Sequence, residues 1–408
     1  MNHRKIVDNI TALTILQAVR YALPLVLIPY LLRIIGIEKF GLLAFVMTLI
    51  VFFRVFVEYG FNLTATRKIS INRNDIDMLS QVFSSVIFAK LYMLIASFVL
   101  MNIIVFSYEK FSANWMVYYV SFAIIVGEAL FPLWFYQGIE EMRLSTIINV
   151  VFKVTAVAAV FLVVHEEGDY LLVPALEAAG TVLSGTYGLW VALKRYKIKF
   201  RYVPYPLVFN EIRDGWHVFL SRSTVLFYTH FNVLILGIMT NNTTVGYFAI
   251  AEKIVNALRG LTAPINQALF PPLAKLYSED MDLFRKKVKE FLLYEWLFLL
   301  LVTVFTFLFS EKLIYLLKGE VVPETLEILR ILLWTIMLSL GGYFSQLLII
   351  KSKDAVLSKI TISTAVFNVL FLYPSIELFG VMGMAYLFVI VAIFHLLLQL
   401  KYGLDVFR

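Results

Sequence analysis

Residues 81–107 read QVFSSVIFAKLYMLIASFVLMNIIVFS, a continuous apolar stretch with one charged side chain, Lys90. A hydrophobic stretch of about 20 residues can cross the hydrocarbon core of a bilayer as a helix. Similar stretches recur through all 408 residues, of which 61% are hydrophobic and 15% charged. Soluble domains average about 45–50% apolar and about 25% charged residues. The composition therefore excludes a soluble enzyme that carries a single membrane anchor. The apolar stretches are continuous rather than alternating with polar residues, which excludes a β-barrel.

The runs predict an all-α integral membrane protein with about twelve transmembrane helices in two six-helix lobes. The predicted spans are 10–35, 40–61, 81–107, 115–137, 144–164, 170–193, 216–239, 245–270, 291–309, 326–350, 356–373 and 380–400. Residues 1–193 form the predicted N-terminal lobe, 194–215 a basic cytoplasmic linker and 216–408 the C-terminal lobe. A shift of 205 residues aligns Gly41 with Gly246 and Arg54 with Arg259, which favours a parallel repeat of the two halves.

Lysine and arginine are concentrated on one side of the predicted membrane. The connections on that side include the stretch KRYKIKFRY at 194–202. The opposite connections contain only Arg33, Lys39, Lys110, Lys312 and Lys318. Because basic loops stay in the cytoplasm, both termini are predicted to be cytoplasmic. The outer connections are short, and only 310–325 is longer.

Several basic side chains lie inside the predicted spans, where one at the helix centre costs about 2.5–3.5 kcal/mol on insertion scales. They outnumber the buried acids, and an excess of fixed positive charge in a wet cavity indicates an anionic ligand. The predicted substrate-binding residues are Arg20, Arg54, Lys90, Lys153, Arg222 and Arg259. The alternative is ion pairing within single helices, Arg54 with Glu58 and Arg259 with Glu252.

Glu128 and Glu252 are the candidates for coupling transport to protons or sodium, since buried carboxylates commonly serve pumps in this way. The isolated His395 is interpreted as a hydrogen-bonded helix residue. The sequence contains no cysteine, no cluster with metal-ligand spacing, no nucleotide-binding loop and no hydrolytic triad. It therefore predicts no metal site, no cofactor, no nucleic-acid partner and no enzymatic reaction.

Four stretches resemble O-antigen flippases of the Wzx type. They are PLVLIPYLLRIIGIEKFG at 24–41, EYGFNLTATR at 58–67, WFYQGIE at 134–140 and FPP at 270–272. These flippases belong to the polysaccharide transporter branch of the multidrug, oligosaccharidyl-lipid and polysaccharide (MOP) exporter superfamily. The first span lacks the aspartate that the drug-antiporter branch often places in the body of its first helix.

The resemblance implies a V-shaped pair of six-helix lobes around a central cationic cavity, as in MATE transporters. It also implies a flippase that moves undecaprenyl-pyrophosphate-linked O-units from the inner to the outer leaflet of the inner membrane. Inner-membrane lipids, the O-antigen polymerase and the chain-length regulator are the implied partners. Two alternatives stay open: a drug or cation antiporter, which should favour buried acids, and an O-antigen polymerase or ligase, which should have a large outer loop.

Overall fold

The computed structural model describes residues 19, 23–351 and 353–403, and these are almost entirely α-helical. The N-terminal half begins with the short apolar helix α1 (Leu23–Ile34). It continues with α2 (Gly36–Glu58), α3 (Phe61–Ile71), α4 (Ile76–Ser107), α5 (Glu109–Ser112), α6 (Trp115–Leu130), α7 (Leu133–Gly138) and α8 (Met142–Val163). A short 3-10 helix, Glu167–Leu171, leads into α9 (Leu172–Arg195).

The C-terminal half starts with α10 (Tyr205–Thr229), α11 (Phe231–Met239) and α12 (Asn242–Gly260). It continues with α13 (Ala263–Glu279), α14 (Met281–Leu308), α15 (Ser310–Lys318) and α16 (Pro323–Met337). A 3-10 turn, Leu338–Leu340, precedes α17 (Gly341–Ile350) and α18 (Asp354–Gly403).

The chain forms two compact units. The first contains Ile34–Leu226, and the second contains Ile28–Arg33 with the chain from Phe227 onward. The division thus falls inside α10, after the basic segment 194–215. That segment packs on the first unit, because the backbone N–H groups of Lys199 and Arg201 donate to the hydroxyls of Ser80 and Ser84 at 3.0 and 3.1 Å. The division into two lobes of six transmembrane helices stays a prediction.

Seven helical stretches among the described residues are long and apolar enough to cross a membrane, which confirms an all-α, multi-pass architecture. They are Gly36–Ile71, Ile76–Ser107, Trp115–Gly138, Met142–Val163, Met281–Leu308, Pro323–Ile350 and Ala355–Tyr402. The last is 48 residues long, about 72 Å of helix against a hydrocarbon core of about 30 Å. A kink at Gly380 (φ 59°) divides it between the two last predicted spans.

The predicted count of twelve is not confirmed among the described residues, and part of the first predicted span, 10–35, lies outside them. The predicted span 216–239 is split at His230 between α10 and α11, and 245–270 is split between α12 and α13. The predicted span 40–61 ends in a break at Tyr59 and Gly60, which both have positive φ, at 46° and 91°. The broken spans 216–239 and 245–270 are not among the seven long apolar stretches, whereas Gly36–Ile71 remains one of them despite its break.

Helices α6 and α9 pack together through glycines in the first unit. A Cβ atom on Gly185 would lie 2.3 Å from the carbonyl oxygen of Gly127, and one on Gly127 would lie 2.3 Å from the backbone of Thr181. Small residues that allow backbones to approach closely are the usual means of helix association in membranes. Trp134 and Tyr136 complete this core, and the Tyr136 hydroxyl donates to the Gly188 carbonyl at 2.6 Å.

Each half contains a helix that begins after an aspartate cap, and the two caps are 205 residues apart, the same shift that the sequence suggests. Asp75 caps α4 by accepting backbone N–H bonds from Asp77 and Met78, and Asp280 caps α14 by accepting one from Leu283. Aspartate is a preferred N-cap because its carboxylate satisfies free N–H groups of the first turn. Positions 75 and 280 differ by the same 205 residues as Arg54 and Arg259.

Candidate functional site

Six charged side chains from five helices form a cluster in the first unit, called here the charged cluster. Arg54 and Glu58 occupy the last turns of α2, Lys90 lies on α4 and Glu128 on α6. Glu177 lies on α9 and Arg222 on α10. Glu128, Glu177 and Glu58 are the acids whose charges act on Arg54. The structure thus brings together Arg54, Lys90, Arg222 and Glu128 from the set that the sequence predicts.

The central contact of the charged cluster joins Arg54 to Glu128. The Arg54 Nε lies 2.6 Å from the Glu128 Oε2, and the two side chains are 28% and 31% exposed. This is an ion pair by distance, but the Nε–H does not point at the oxygen well enough to count as a hydrogen bond. Removing one partner of a buried pair leaves an uncompensated charge, which costs about 3–5 kcal/mol.

A second ion pair joins α2 to α10, since the Arg222 Nη1 lies 3.4 Å from the Glu58 Oε2. The sequence-based alternative placed Glu58 opposite Arg54 within α2. In the structure each of these residues has its ion-pair partner on a different helix. Both pairs therefore connect helices, which intrahelical pairing could not do.

Lys90 is 3% exposed and has no ion pair within 4 Å in the part of the chain that the structure describes. The acids whose charges act on it are Glu58 and Glu128. Among the described residues, three bases and three acids make up the charged cluster, so these residues carry no excess of positive charge. The sequence predicts such an excess, and the balance arises because the acids converge with the bases on one place.

A second polar group lies on α12 in the second unit. The side chain of Asn256 hydrogen-bonds to Glu252, and Glu252 is the acid whose charge acts on Arg259. Arg259 lies in the last turn of α12, and its buried Nε has no hydrogen-bond partner in the described part of the chain. A buried guanidinium nitrogen without a partner leaves donor capacity for an anion.

The other two predicted binding residues are Arg20 and Lys153. Arg20 lies outside the described residues. Lys153 is partly buried on α8, and its charge is not among those that act on Arg54, Lys90 or Glu128. The interpretation of His395 is confirmed, because its two ring nitrogens lie 2.9 Å from the Thr364 hydroxyl and 2.9 Å from the Gln399 amide.

The described residues contain no group of three His, Cys, Asp or Glu side chains that could hold a metal ion. Sequence reasoning missed a cleft of 920 Å³ between α3 and the start of α10, lined by Arg67, Arg213 and Trp216 among others. The sequence analysis assigned no binding role to Arg67 or Arg213. Their approach could not be read from the sequence, because α3 and α10 are far apart along the chain.

The family model described as polysaccharide biosynthesis protein matches residues 6–277, more than half of the chain. The chain belongs to this family. It is 29% identical over 266 residues to a protein of Escherichia coli K12 named as an O-antigen transporter. The match covers 65% of this chain and 64% of that protein, so this chain spans less than two thirds of that relative's length. It is 25% identical over 395 residues to a Shigella dysenteriae protein of the same name, covering 96% of this chain and 98% of that one.

Solved structures of the MOP superfamily show the same fold. An inward-facing multidrug resistance MATE family transporter matches with a TM-score of 0.73 and 16% identity over 98% of each chain. The lipid II flippase MurJ in an inward closed conformation matches with a TM-score of 0.72 and 13% identity, over 97% of this chain and 87% of that one. The family resemblance of the sequence is confirmed, and the curated relatives are named as transporters rather than enzymes.

Proposed function

We propose that the protein is a flippase that moves undecaprenyl-pyrophosphate-linked O-units from the inner to the outer leaflet of the inner membrane. The observation that carries this proposal is the similarity to an O-antigen transporter along 96% of the chain. The MurJ-like fold supports it, since MurJ is named as a flippase of another lipid. The O-antigen polymerase and the chain-length regulator are the partners that such a flippase would serve.

The charged cluster suggests how an anion is bound and released. A pyrophosphate cannot cross hydrocarbon unpaired, because an isolated buried charge costs far more than transport can supply. Arg54 offers a planar fork of donors that stays charged when desolvated. In the structure this arginine is already paired with Glu128. Proton binding by Glu128 would leave Arg54 without a counter-ion, and the pyrophosphate would then provide one.

Arg259 is the corresponding candidate in the second unit, supported by its unpartnered buried Nε. Glu252, seven residues earlier on α12, is the second candidate for ion coupling. Lys90 and Arg222 are proposed to hold Glu58 and Glu128 in place while Arg54 changes partner, because each acts on one or both of these acids. Arg20 and Lys153 remain proposed binding residues on the pattern of the sequence alone.

The lipid-linked intermediates that accumulate in a deletion strain test this function. If the chain is the flippase, mass spectrometry should find single O-units on undecaprenyl pyrophosphate, on the inner leaflet, and a plasmid copy of the gene should clear them. Accumulation on the outer leaflet would contradict the proposal and indicate a polymerase or ligase.

A drug or cation antiporter is the second candidate function, favoured by the MATE-like fold and by the balanced charges of the charged cluster. The same strain separates the two. Normal surface polysaccharide together with increased sensitivity to cationic drugs would support the antiporter and contradict the flippase.

A further inference from the structure

The cleft of 920 Å³ lies within the first unit, at the end of that unit predicted to face the cytoplasm. Its walls are α3 and the first turns of α10. The polar lining residues are Thr64, Arg67, Lys68, Arg213, Asp214 and His217. None of them belongs to the charged cluster, and the function proposed above does not use them.

Glycines hold the two walls close together. A Cβ atom on Gly60 would lie 2.6 Å from the Val218 Cγ1, and one on Gly215 would lie 2.9 Å from the Tyr59 carbonyl oxygen. Neither approach could accommodate a larger residue without a shift of the backbone. Next to them the Tyr59 ring stacks on Phe219 with centroids 4.6 Å apart. The cleft is therefore a built feature of the first unit.

The two acids beside the cleft are already paired with a lysine. The Lys68 ammonium donates to the Glu211 Oε2 at 2.9 Å and lies 2.7 Å from the Asp214 Oδ2. Arg67, Arg213 and His217 have no hydrogen bond or ion pair among the residues described. Two permanent positive charges and one titratable ring thus face the cleft without a counter-ion.

Three large apolar residues of the lining are accessible. Trp216 is 48% exposed, Phe209 49% and Ile71 72%. Aromatic side chains beside arginines are typical of the level of lipid headgroups, where an apolar body meets lipid and a charged end meets phosphate. A ligand that fits this lining has an anionic head and an apolar continuation.

We propose that the cleft between α3 and α10 binds the phosphate group of a membrane lipid. Arg67 and Arg213 would each donate two parallel hydrogen bonds to phosphate oxygens, the strongest arrangement available to neutralise them. The buried Thr64 hydroxyl, which has no hydrogen-bond partner among the residues that the structure describes, would add a donor. Two lipids have this chemistry, an anionic phospholipid of the bilayer and the pyrophosphate-linked glycolipid; only the second source rests on the proposed function.

Binding to the purified full chain in detergent separates these sources. The probes are short-chain phosphatidylglycerol, a short polyprenyl pyrophosphate, inorganic pyrophosphate and short-chain diacylglycerol, which lacks phosphate. Each is titrated while the melting temperature is followed, because a ligand that binds only the native state raises the melting temperature more at higher concentration and higher affinity. We expect phosphatidylglycerol, the polyprenyl pyrophosphate or both to bind, and the double variant Arg67→Gln, Arg213→Gln to weaken that binding about tenfold or more.

The matched control is the double variant Lys197→Gln, Lys199→Gln, which removes the same charge from exposed positions of the first unit outside the cleft. It should bind like the wild type, and Arg67→Lys with Arg213→Lys should recover part of the lost affinity. If the double glutamine variant fails to fold, the single variant Arg213→Gln decides instead. A loss confined to phosphatidylglycerol identifies a bilayer lipid, and a loss confined to the polyprenyl pyrophosphate identifies the transported lipid.

Three results would overturn the proposal. They are equal losses in the cleft variant and the control, binding of diacylglycerol as strong as that of the phosphate lipids, and an effect on inorganic pyrophosphate alone. The assay measures binding without transport. A negative result here therefore leaves the deletion-strain test of the flippase untouched, and a negative result there leaves the cleft untouched.

Discussion

Arg54 on α2 forms an ion pair with Glu128 on α6, so a change to either residue leaves the charge of the other without this partner. Removing a guanidinium that only pairs with an acid has a different effect from removing one that also binds substrate. The first can be replaced together with its acid at little cost, since no unpaired charge remains. The second cannot, because the substrate loses its donor whatever happens to the acid.

We therefore expect Arg54→Ala to lower protein abundance and abolish export, since it leaves Glu128 unpaired and costs about 3–5 kcal/mol. Arg54→Ala combined with Glu128→Gln should restore abundance but not export. Quantified protein in membranes, beside quantified surface polysaccharide, measures the two effects separately. Arg54→Lys is the conservative control and should keep part of the export. If the double variant recovers full export, Arg54 has no role in binding the substrate.

Glu128→Gln alone is expected to make export insensitive to uncouplers and to reduce its rate, because the amide cannot release or take up a proton. Surface polysaccharide is measured with and without uncoupler at equal protein levels. Glu177→Gln is the matched control, since Glu177 acts on Arg54 by its charge but forms no ion pair in the part of the chain that the structure describes. Unchanged output and unchanged uncoupler sensitivity in Glu128→Gln, Glu252→Gln and their combination would rule out coupling through these carboxylates.

At the level of helices, the close packing of α6 against α9 requires glycine at the points of contact. The backbones approach so closely at Gly127 and Gly185 that a Cβ at either position would overlap the other helix. Glu128 follows Gly127 directly, and Glu177 lies on α9 two turns before Gly185. The same close packing that joins the helices therefore also positions two acids of the charged cluster.

Gly185→Leu is expected to destabilise the protein by about 1–3 kcal/mol or more, because the larger side chain forces α6 and α9 apart. Size-exclusion chromatography of a fluorescent fusion in detergent should show less folded protein and more aggregate. Thr186→Leu, at the next and exposed position of the same helix, is the control and should behave like the wild type. Equal folded yields for the two variants would contradict the packing argument.

The structure differs from the sequence prediction at breaks in two helices that the sequence predicts to be continuous. The apolar patterns of 40–61 and 245–270 each predict one continuous span. The structure instead turns at Tyr59 and Gly60 and between Gly260 and Ala263. Gly60 alone could indicate the first turn, since glycine adopts positive φ at little cost. Gly260 and Pro264 could indicate the second turn, since glycine is common where helices end and proline is common in their first turn.

For the whole molecule, the placement of basic residues predicts an orientation that remains to be tested. Reporter fusions after Lys110, Asp169 and Asn241 are expected to report the periplasm. Fusions after Arg73, Lys199 and Lys286 are expected to report the cytoplasm, because loops rich in lysine and arginine are retained there.

Paired phosphatase and fluorescent-protein reporters at each position control for expression, since one is active only outside and the other only inside. The fusion after Lys199 is decisive, because the segment 194–215 joins the two predicted lobes. A periplasmic signal there would contradict the division into six helices on either side of it.

The sequence by itself determined the class of the protein. Apolar runs of membrane length, basic connections on one side and motif stretches such as 58–67 were enough to predict an all-helical multi-pass protein and its family. These features are local, since helix length and loop charge depend on neighbouring residues and the bilayer thickness. The buried bases were visible for the same reason, because Arg54 and Lys90 interrupt apolar runs.

Only the tertiary structure decided which charges meet. Arg54 and Glu128 belong to helices far apart along the chain, as do Glu58 and Arg222, and no spacing in the sequence relates them. Their partners are determined by how α2, α6 and α10 pack, which rests on close contacts such as that of Gly127 with Gly185. Counting bases and acids along the chain predicted an excess of positive charge, whereas the charges that packing brings together balance. An ion pair is a property of distance in space, and the sequence records only distance along the chain.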